Sequence, residues 1–323
     1  MPAWPIWLLS CFGIALAITA WARGYALRRN LLDQPGERRS HASATPRGGG
    51  ISIVMVLLLA SAWLAWRFPG QREWFGLFGA GLVLVAGIGW VDDHRPLSPW
   101  LRLLIHGLAA GTLAMGFWLE GTGPWPAMAA FVLALGLTNA WNFMDGIDGL
   151  AASQAGLVSL GLWIVLPSPW NWLAIGLAAA AAGFLPFNFP KARIFLGDVG
   201  SGALGFALAA LLAAGLSKGD PSITWLLWVL PVAAFVVDTA FTLAWRILNG
   251  EPWWTPHVQH AYQRWARQIG HRRVTVFFAL FTTGTVGIWL IGRGAQPPFV
   301  ILVFIICYTL AGCLWGSSRR LKD

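Results

Sequence analysis

Residues 139–150 read NAWNFMDGIDGL and separate two apolar runs, 125–141 and 150–166. Asp145 and Asp148 stand three apart in it, each followed by a glycine, with Asn139 and Asn142 just upstream at the end of the first run. Carboxylates at the edge of a bilayer are costly, so acids there are candidates for function. A tight polar turn capping two helices would use the same residue types. One Asp-Gly pair fits such a turn; two pairs behind two spaced asparagines point to a site.

The flanking runs decide the fold. The chain has 323 residues, 57% of them hydrophobic and 11% charged, with a mean hydropathy of +0.63. Charge this sparse excludes an ordinary soluble domain and indicates a polytopic membrane protein. The 22 tryptophans suit anchoring at both membrane interfaces. About eleven runs approach the roughly 20 residues needed to cross a bilayer: 3–21, 49–68, 74–91, 100–119, 125–141, 150–166, 170–187, 200–216, 222–248, 274–291 and 299–315. The expectation is an all-α, polytopic integral membrane protein of one domain over residues 1–323. The first run has no basic segment before it, so it reads as a retained span rather than a cleaved signal. Cys11, Cys307 and Cys313 all lie in apolar runs and make neither a ligand spacing nor a disulfide framework.

A net charge of +9 would suggest nucleic acid in a soluble chain. In a membrane chain, loop charge explains it, and no nucleic-acid partner is expected. One alternating set of loops holds 18 of the 22 Lys and Arg; the other holds only Arg67, Arg72, Lys218 and Arg293. The basic set is therefore cytoplasmic, with the N-terminus outside and the C-terminus inside. The same alternation puts Asp33, Asp92, Asp93, Asp145, Asp148, Asp198 and Glu251 on the cytoplasmic side, with His41, His94, His257, His260 and His271. An active site at the cytoplasmic face follows, where a soluble substrate can meet a membrane-bound one.

Four more loops carry candidates. In DQPGERRSHASATPRGGG, Arg47 precedes three glycines whose bare N–H groups could approach an anion; a flexible, positively charged link is the equal alternative. In VDDHRPLS, Asp92 and Asp93 are adjacent, so on a helix they point about 100° apart. One can face a reaction centre while the other braces a neighbour. A solvated pair near Arg95 is the alternative. In FNFPKARIFLGDVGSG, Asp198 lies between glycines at the start of an apolar run. It suits a hard cation such as Mg²⁺, or a helix N-cap. Lys191 and Arg193 add positive charge for phosphates. In the longest loop, His257 and His260 are three apart, and with Arg264 and Arg267 they suit phosphate or sugar contacts better than zinc. His271 reads as a loop residue without a role. Asp238, inside a run, reads first as a structural partner of Arg246 and second as a substrate-side acid.

SHASATPRGGG, VDDHRPLS, NAWNFMDGIDGL, FNFPKARIFLGDVGSG and PHVQHAYQRW occur in this order over nearly the whole chain. Together they resemble the polyprenyl-phosphate N-acetylhexosamine-1-phosphate transferases, closest to the bacterial branch that initiates O-antigen or related surface-glycan synthesis. The resemblance implies transfer of a sugar 1-phosphate from a UDP-N-acetylhexosamine to undecaprenyl phosphate in the bacterial inner membrane, releasing UMP. It implies Mg²⁺, with Mn²⁺ as an alternative, and by analogy a homodimer. Asp198 matches the family's metal ligand, with Asp92 as a second candidate. Asp92 and Asp93 match its acid pair, with Asp92 favoured for positioning or deprotonating the lipid phosphate. Asp145 matches an acid near the diphosphate, and Asn188, Phe195 and Asp148 match positions that hold the uridine. His257 and His260 match a histidine motif for sugar and phosphate. The expected catalytic set is thus Asp92, Asp93, Asp145 and Asp198. The expected substrate-binding set is Asp148, Asn142, Asn188, Phe195, Arg47, Lys191, His257, His260 and Arg264.

Two departures argue against the muramyl-pentapeptide branch of that family. The chain lacks a run of consecutive histidines in the last loop, and Ala44 stands where that branch has a lysine. A secondary transporter is a remote alternative, because transporters place coupling acids near mid-membrane and often in repeated halves.

Overall fold

The computed structural model describes residues 3–34, 44–218, 225–255 and 257–321. Among the described residues the regular elements are helices apart from one short strand pair. In order come α1 (Trp4–Arg28), α2 (Ile51–Arg67), α3 (Arg72–His94), α4 (Pro99–Leu119), α5 (Pro124–Phe143), α6 (Leu150–Val165), α7 (Trp170–Asn188) and α8 (Asp198–Lys218). They are followed by α9 (Trp225–Trp228), α10 (Ala233–Leu248), α11 (Ala261–Ile269), α12 (His271–Gly292) and α13 (Pro297–Ser318). Proline in the first turn starts α1, α4, α5 and α13, where a missing N–H costs nothing. Ser98 adds a side-chain cap to α4, its Oγ accepting from Leu101 N at 3.2 Å.

Every apolar run in the sequence carries helix. Eight stretches among the described residues are long and apolar enough to cross a membrane, while α2 and α6 are shorter apolar helices. The run 222–248 is not one continuous helix: a 3-10 turn, Leu230–Val232, separates α9 from α10. Pro231 sits in that turn and has no N–H to continue a ladder. The all-α expectation also missed β1 (Leu32–Asp33) and β2 (Thr45–Pro46), an antiparallel pair with Leu32 opposite Pro46 and Asp33 opposite Thr45.

The core centres on α8, a helix of small residues packed against α2, α3, α5, α6 and α7. Small residues let backbones meet where apolar bulk gives no advantage over lipid. A Cβ on Gly205 would fall 2.1 Å from Leu137 O of α5. A Cβ on Gly50 would fall 2.2 Å from Gly200 Cα. A Cβ on Gly89 of α3 would fall 2.5 Å from the carbonyl carbon of Asp198. These contacts seat the first turn of α8 between α2 and α3, which positions everything below.

Candidate active site

The start of α8 is held by α3. Asp93, one turn beyond Gly89, accepts from Asp198 N at 3.1 Å and from Val199 N at 3.2 Å. A buried carboxylate thus satisfies two of the helix's orphan N–H groups and complements its dipole. Asp92 points elsewhere, as the adjacent position on a helix must. Its Oδ1 accepts from Leu97 N at 2.6 Å, and its Oδ2 accepts from Arg102 Nη1 at 2.9 Å. The same Nη1 lies 2.8 Å from Asp198 Oδ2. Arg102 therefore draws two carboxylates from separate helices onto one guanidinium at the start of α4. In the sequence Arg102 was one of 18 loop cations; its position ten residues after Asp92, on the next helix, was the only cue.

A second polar layer lies one turn deeper. Asn142 Nδ2 of α5 donates to Ser201 Oγ of α8 at 3.1 Å. Asn139 Oδ1 meets His106 Nδ1 of α4 at 3.2 Å, while its Nδ2 donates to Leu135 O. The turn after α5 then brings Asp145 to the same place. Burial pushes the Asp145 carboxyl well above the usual range, and the charges of Asp198 and then Asp93 push it further the same way. Asp145, Asp198 and Asp93 thus feel one another across three elements. Gly149, at φ +73°, turns the chain into α6, with its N–H donating to Asn188 Oδ1 at 2.9 Å. Asn188 Nδ2 donates in turn to Ile194 O at 2.9 Å. The buried Asn188 amide is thus used to clamp two loops together.

The glycines of the first loop are also engaged. Gly49 N donates to Phe195 O at 2.9 Å and Gly50 N to Leu196 O at 2.8 Å, while Phe195 N donates to Pro46 O at 2.8 Å. Two of the N–H groups expected to be bare are therefore spent on protein carbonyls. Arg47 is half-buried beside Asp93, and its Nε finds no partner among the described residues. His41 lies outside the described residues. Lys191 is exposed.

The other wall is built from α10 and α11. Asp238 does not pair with Arg246; Arg246 Nη1 meets Glu251 Oε2 at 2.9 Å instead. Asp238 caps α11, with Oδ1 accepting from Ala261 N at 2.9 Å and Oδ2 from Tyr262 N at 3.0 Å. Its Oδ1 also lies 3.3 Å from His260 Nδ1. His260 stacks on His257 with centroids 4.9 Å apart. Burial pushes the His257 imidazole down to about 3, helped by the charges of His260, Arg246 and Arg319. Gln259 N donates to His257 Nδ1 at 3.3 Å, so the neutral ring carries its proton on Nε2. Tyr262 Oη donates to Phe143 O at 2.9 Å, tying α11 to the end of α5 and the Asp145 turn. Arg264 Nη1 donates to Ser318 O at 3.4 Å. His271 is not idle: its Nδ1 lies 3.4 Å from Asp148 Oδ2, and Thr275 Oγ1 donates to Asp148 O at 2.7 Å.

The match to known proteins follows this geometry. A family model described as Glycosyl transferase family 4 matches residues 74–215, the stretch from α3 to α8 that carries Asp92, Asp93, Arg102, Asp145 and Asp198. The chain is 32% identical over 277 residues to a probable undecaprenyl-phosphate N-acetylglucosaminyl 1-phosphate transferase of Bacillus subtilis, covering 80% of this chain and 76% of that protein. It is 32% identical over 329 residues to a decaprenyl-phosphate N-acetylglucosaminephosphotransferase of Mycolicibacterium smegmatis, covering 86% and 80%. The chain belongs to the polyprenyl-phosphate N-acetylhexosamine-1-phosphate transferase family. A phospho-N-acetylmuramoyl-pentapeptide-transferase of a Synechococcus strain is 35% identical over 241 residues, covering 64% of this chain and 67% of that protein. The chain is accordingly a multi-pass membrane enzyme of a phospho-sugar transferase family.

Members of such a family handle phosphates, and the oxygen-rich donor set fits a divalent cation of the magnesium type. No three His, Cys, Asp or Glu side chains among the described residues form a metal cage. Mg²⁺ is usually held by one or two carboxylates with substrate phosphates and water completing its shell. Asp198 and Asp92 supply that number, and burial, reinforced by the charges of Asp198 and Asp93, holds the Asp145 carboxyl high, which marks a place where added positive charge is favourable.

Proposed function

We propose that this enzyme transfers an N-acetylhexosamine 1-phosphate from a UDP-sugar to undecaprenyl phosphate, giving a polyprenyl-diphosphate-linked sugar and UMP. The reaction would initiate O-antigen or a related surface polysaccharide at the inner face of the bacterial cytoplasmic membrane. Eleven spans with the N-terminus outside would put every motif on that face, as the loop cations require. The observation that carries the reading is the Arg102 guanidinium shared by Asp92 and Asp198 at the start of α8, beside the Asp145 turn.

In the reaction a phosphate oxygen of the lipid bonds to the sugar-bearing phosphorus, and the bond from that phosphorus to the UMP oxygen breaks. Such chemistry needs alignment and charge neutralisation more than covalent help. Mg²⁺, held by Asp198 with Asp92 as a second ligand, would offset the charge of the diphosphate when bound. Arg102 would hold phosphate oxygens as the substrates loosen its two ion pairs. Asp92, already bonded to Leu97 N and Arg102, would orient rather than accept a proton. Asp148, braced by His271 and Thr275, would hold the donor's nucleoside end, and neutral His257 would donate from Nε2 to a sugar or phosphate oxygen.

Purified protein, radiolabelled UDP-sugars of a panel and undecaprenyl phosphate test the reading; labelled lipid product is expected with at least one UDP-N-acetylhexosamine. No product with any of them would overturn it. Asp148→Ala should raise the donor KM about tenfold, the loss of one charge-assisted contact, and leave the acceptor KM unchanged. Transfer of a phospho-muramoyl-pentapeptide is the second reading, favoured by the Synechococcus relative. Ala44 and the lack of a run of consecutive histidines around His257 and His260 argue against it.

A further inference from the structure

Away from the Arg102 cluster, α1, α6, α7 and α12 line an open apolar cleft of about 610 Å³. None of α3, α4 or α8, which carry that cluster, contributes a lining residue. The cleft follows α7 from Ile175 to Phe189, about 21 Å at 1.5 Å per residue. That is most of one hydrocarbon core of about 30 Å. A cleft this long and narrow has the shape of an alkyl chain.

Its walls end in cations at one end. On α12 the lining residue Val276 lies four residues after Arg272, on the same helix face, and Arg272 is exposed. On α7 the lining residue Pro186 accepts from the Arg193 guanidinium through its carbonyl, and Arg193 and Lys191 are exposed beyond it. On α1 the lining residue Phe12 lies three turns before Arg23, whose Nε donates to Arg193 O at 3.2 Å. The nearby acid, Asp148, is already against His271. An apolar slot with cations at the membrane-surface end takes a chain that terminates in a phosphate.

We infer that this cleft is a binding site for an anionic phospholipid of the cytoplasmic leaflet, with an acyl chain in the slot and the phosphate against Arg193 and Arg272. The transferred group's acceptor is a poorer occupant, because its phosphate must reach the Arg102 cluster on other helices. The bound lipid supports the catalytic turn from below. Thr275 lines the cleft and donates to Asp148 O, and Phe189 lines it and packs so tightly on Gly149 that a Cβ there would come within 2.8 Å of the ring. Lipid occupancy therefore bears on the segment that carries Asp148; this second part rests on the proposed function, while binding does not.

The test uses the full chain in nanodiscs of phosphatidylcholine, with or without phosphatidylglycerol. Retained lipid is read by native mass spectrometry, and stability by thermal unfolding. Phosphatidylglycerol should be retained in preference to phosphatidylcholine, raise the unfolding temperature and lower the donor KM. Arg193→Gln with Arg272→Gln should cut that retention about tenfold, as should Ala182→Phe, which fills the exposed slot. Equal retention of both lipids, or retention unchanged in the double variant, would overturn the site. So would a changed oligomeric mass in Ala182→Phe without any lipid effect, which makes the cleft a contact between copies. A raised acceptor KM in Ala182→Phe with phosphatidylglycerol still bound would assign the slot to the acceptor's prenyl chain and overturn the proposal. Retention without any change in donor KM would overturn the coupling to Asp148 and leave transfer itself untouched.

Discussion

Asp93 and Asp238 perform the same structural task on opposite walls of the site. Each is a buried carboxylate from one helix that accepts two backbone N–H groups from the first turn of another, α8 or α11. The results differ in charge. Asp93 delivers Asp198 to a crowd of acids that needs Arg102 and added positive charge. Asp238 delivers His260, beside a His257 that burial keeps neutral. One wall is arranged to gather charge around a diphosphate. The other offers the uncharged His257 imidazole, suited to a sugar, whose hydroxyls need donors and acceptors rather than ions. One device, a helix start held by a remote aspartate, thus serves both the carboxylate cluster at Asp198 and the histidine pair at His257 and His260.

The largest effects are expected on the wall that carries Asp198 and Arg102. Asp198→Asn should reduce transfer by at least about 10³-fold, the scale of losing a preorganised electrostatic group, while the protein still inserts and unfolds at nearly the same temperature. Near-normal turnover in that variant would remove Asp198 from the reaction. Arg102→Ala should cost about 10²-fold in kcat, and Arg102→Lys should recover part of it, because an ammonium restores the charge but not the planar fork. Equal loss in both variants would mean that geometry, not charge, is what Arg102 supplies.

A smaller effect compares the two capping residues directly. Asp93→Asn and Asp238→Asn each remove a charge from a helix N-terminus and one acceptor oxygen. Each should cost about 1–2 kcal/mol of stability, seen as a lowered unfolding temperature. Activity should separate them. Asp93→Asn should lower kcat through misplacement of Asp198, and Asp238→Asn should chiefly raise the donor KM through misplacement of His260. Indistinguishable kinetics would show that the two walls do not divide the substrate as argued.

These pairings show which parts of the molecule the sequence carries on its surface and which it hides. Apolar runs of span length marked the helices, because hydropathy is a local property and lipid enforces it. The break at Pro231 was hidden because a single proline in an apolar run does not say whether the helix kinks or restarts. The acids at 92, 93, 145, 148 and 198 stood out because charge is rare in this chain. Arg102 did not, since cations are common in its loops and only the fold places it between α3 and α8. Helical spacing points Asp238 at Arg246, yet its partners are N–H groups 23 and 24 residues away, which no periodicity encodes. His271 reads as a lone loop histidine, and its meeting with Asp148 depends on α12 packing against α6.

The smallest effect concerns pH at His257. His257 is pushed down to about 3 when folded, against 6.5 for the free side chain. Below pH 6.5 the unfolded chain binds a proton that the folded chain refuses, so stability falls as pH drops from 6.5 toward 3. Above 6.5 both states are neutral and the residue contributes no slope. His257→Gln should therefore lose less stability than the parent between pH 6 and pH 4, and the two unfolding curves should run parallel from pH 7 upward. The difference between the two proteins is the quantity to measure, because the acids on the opposite wall are common to both. A difference that grows above pH 7 instead would mean that His257 is charged in the folded enzyme, and its assigned contact with the sugar would be ionic.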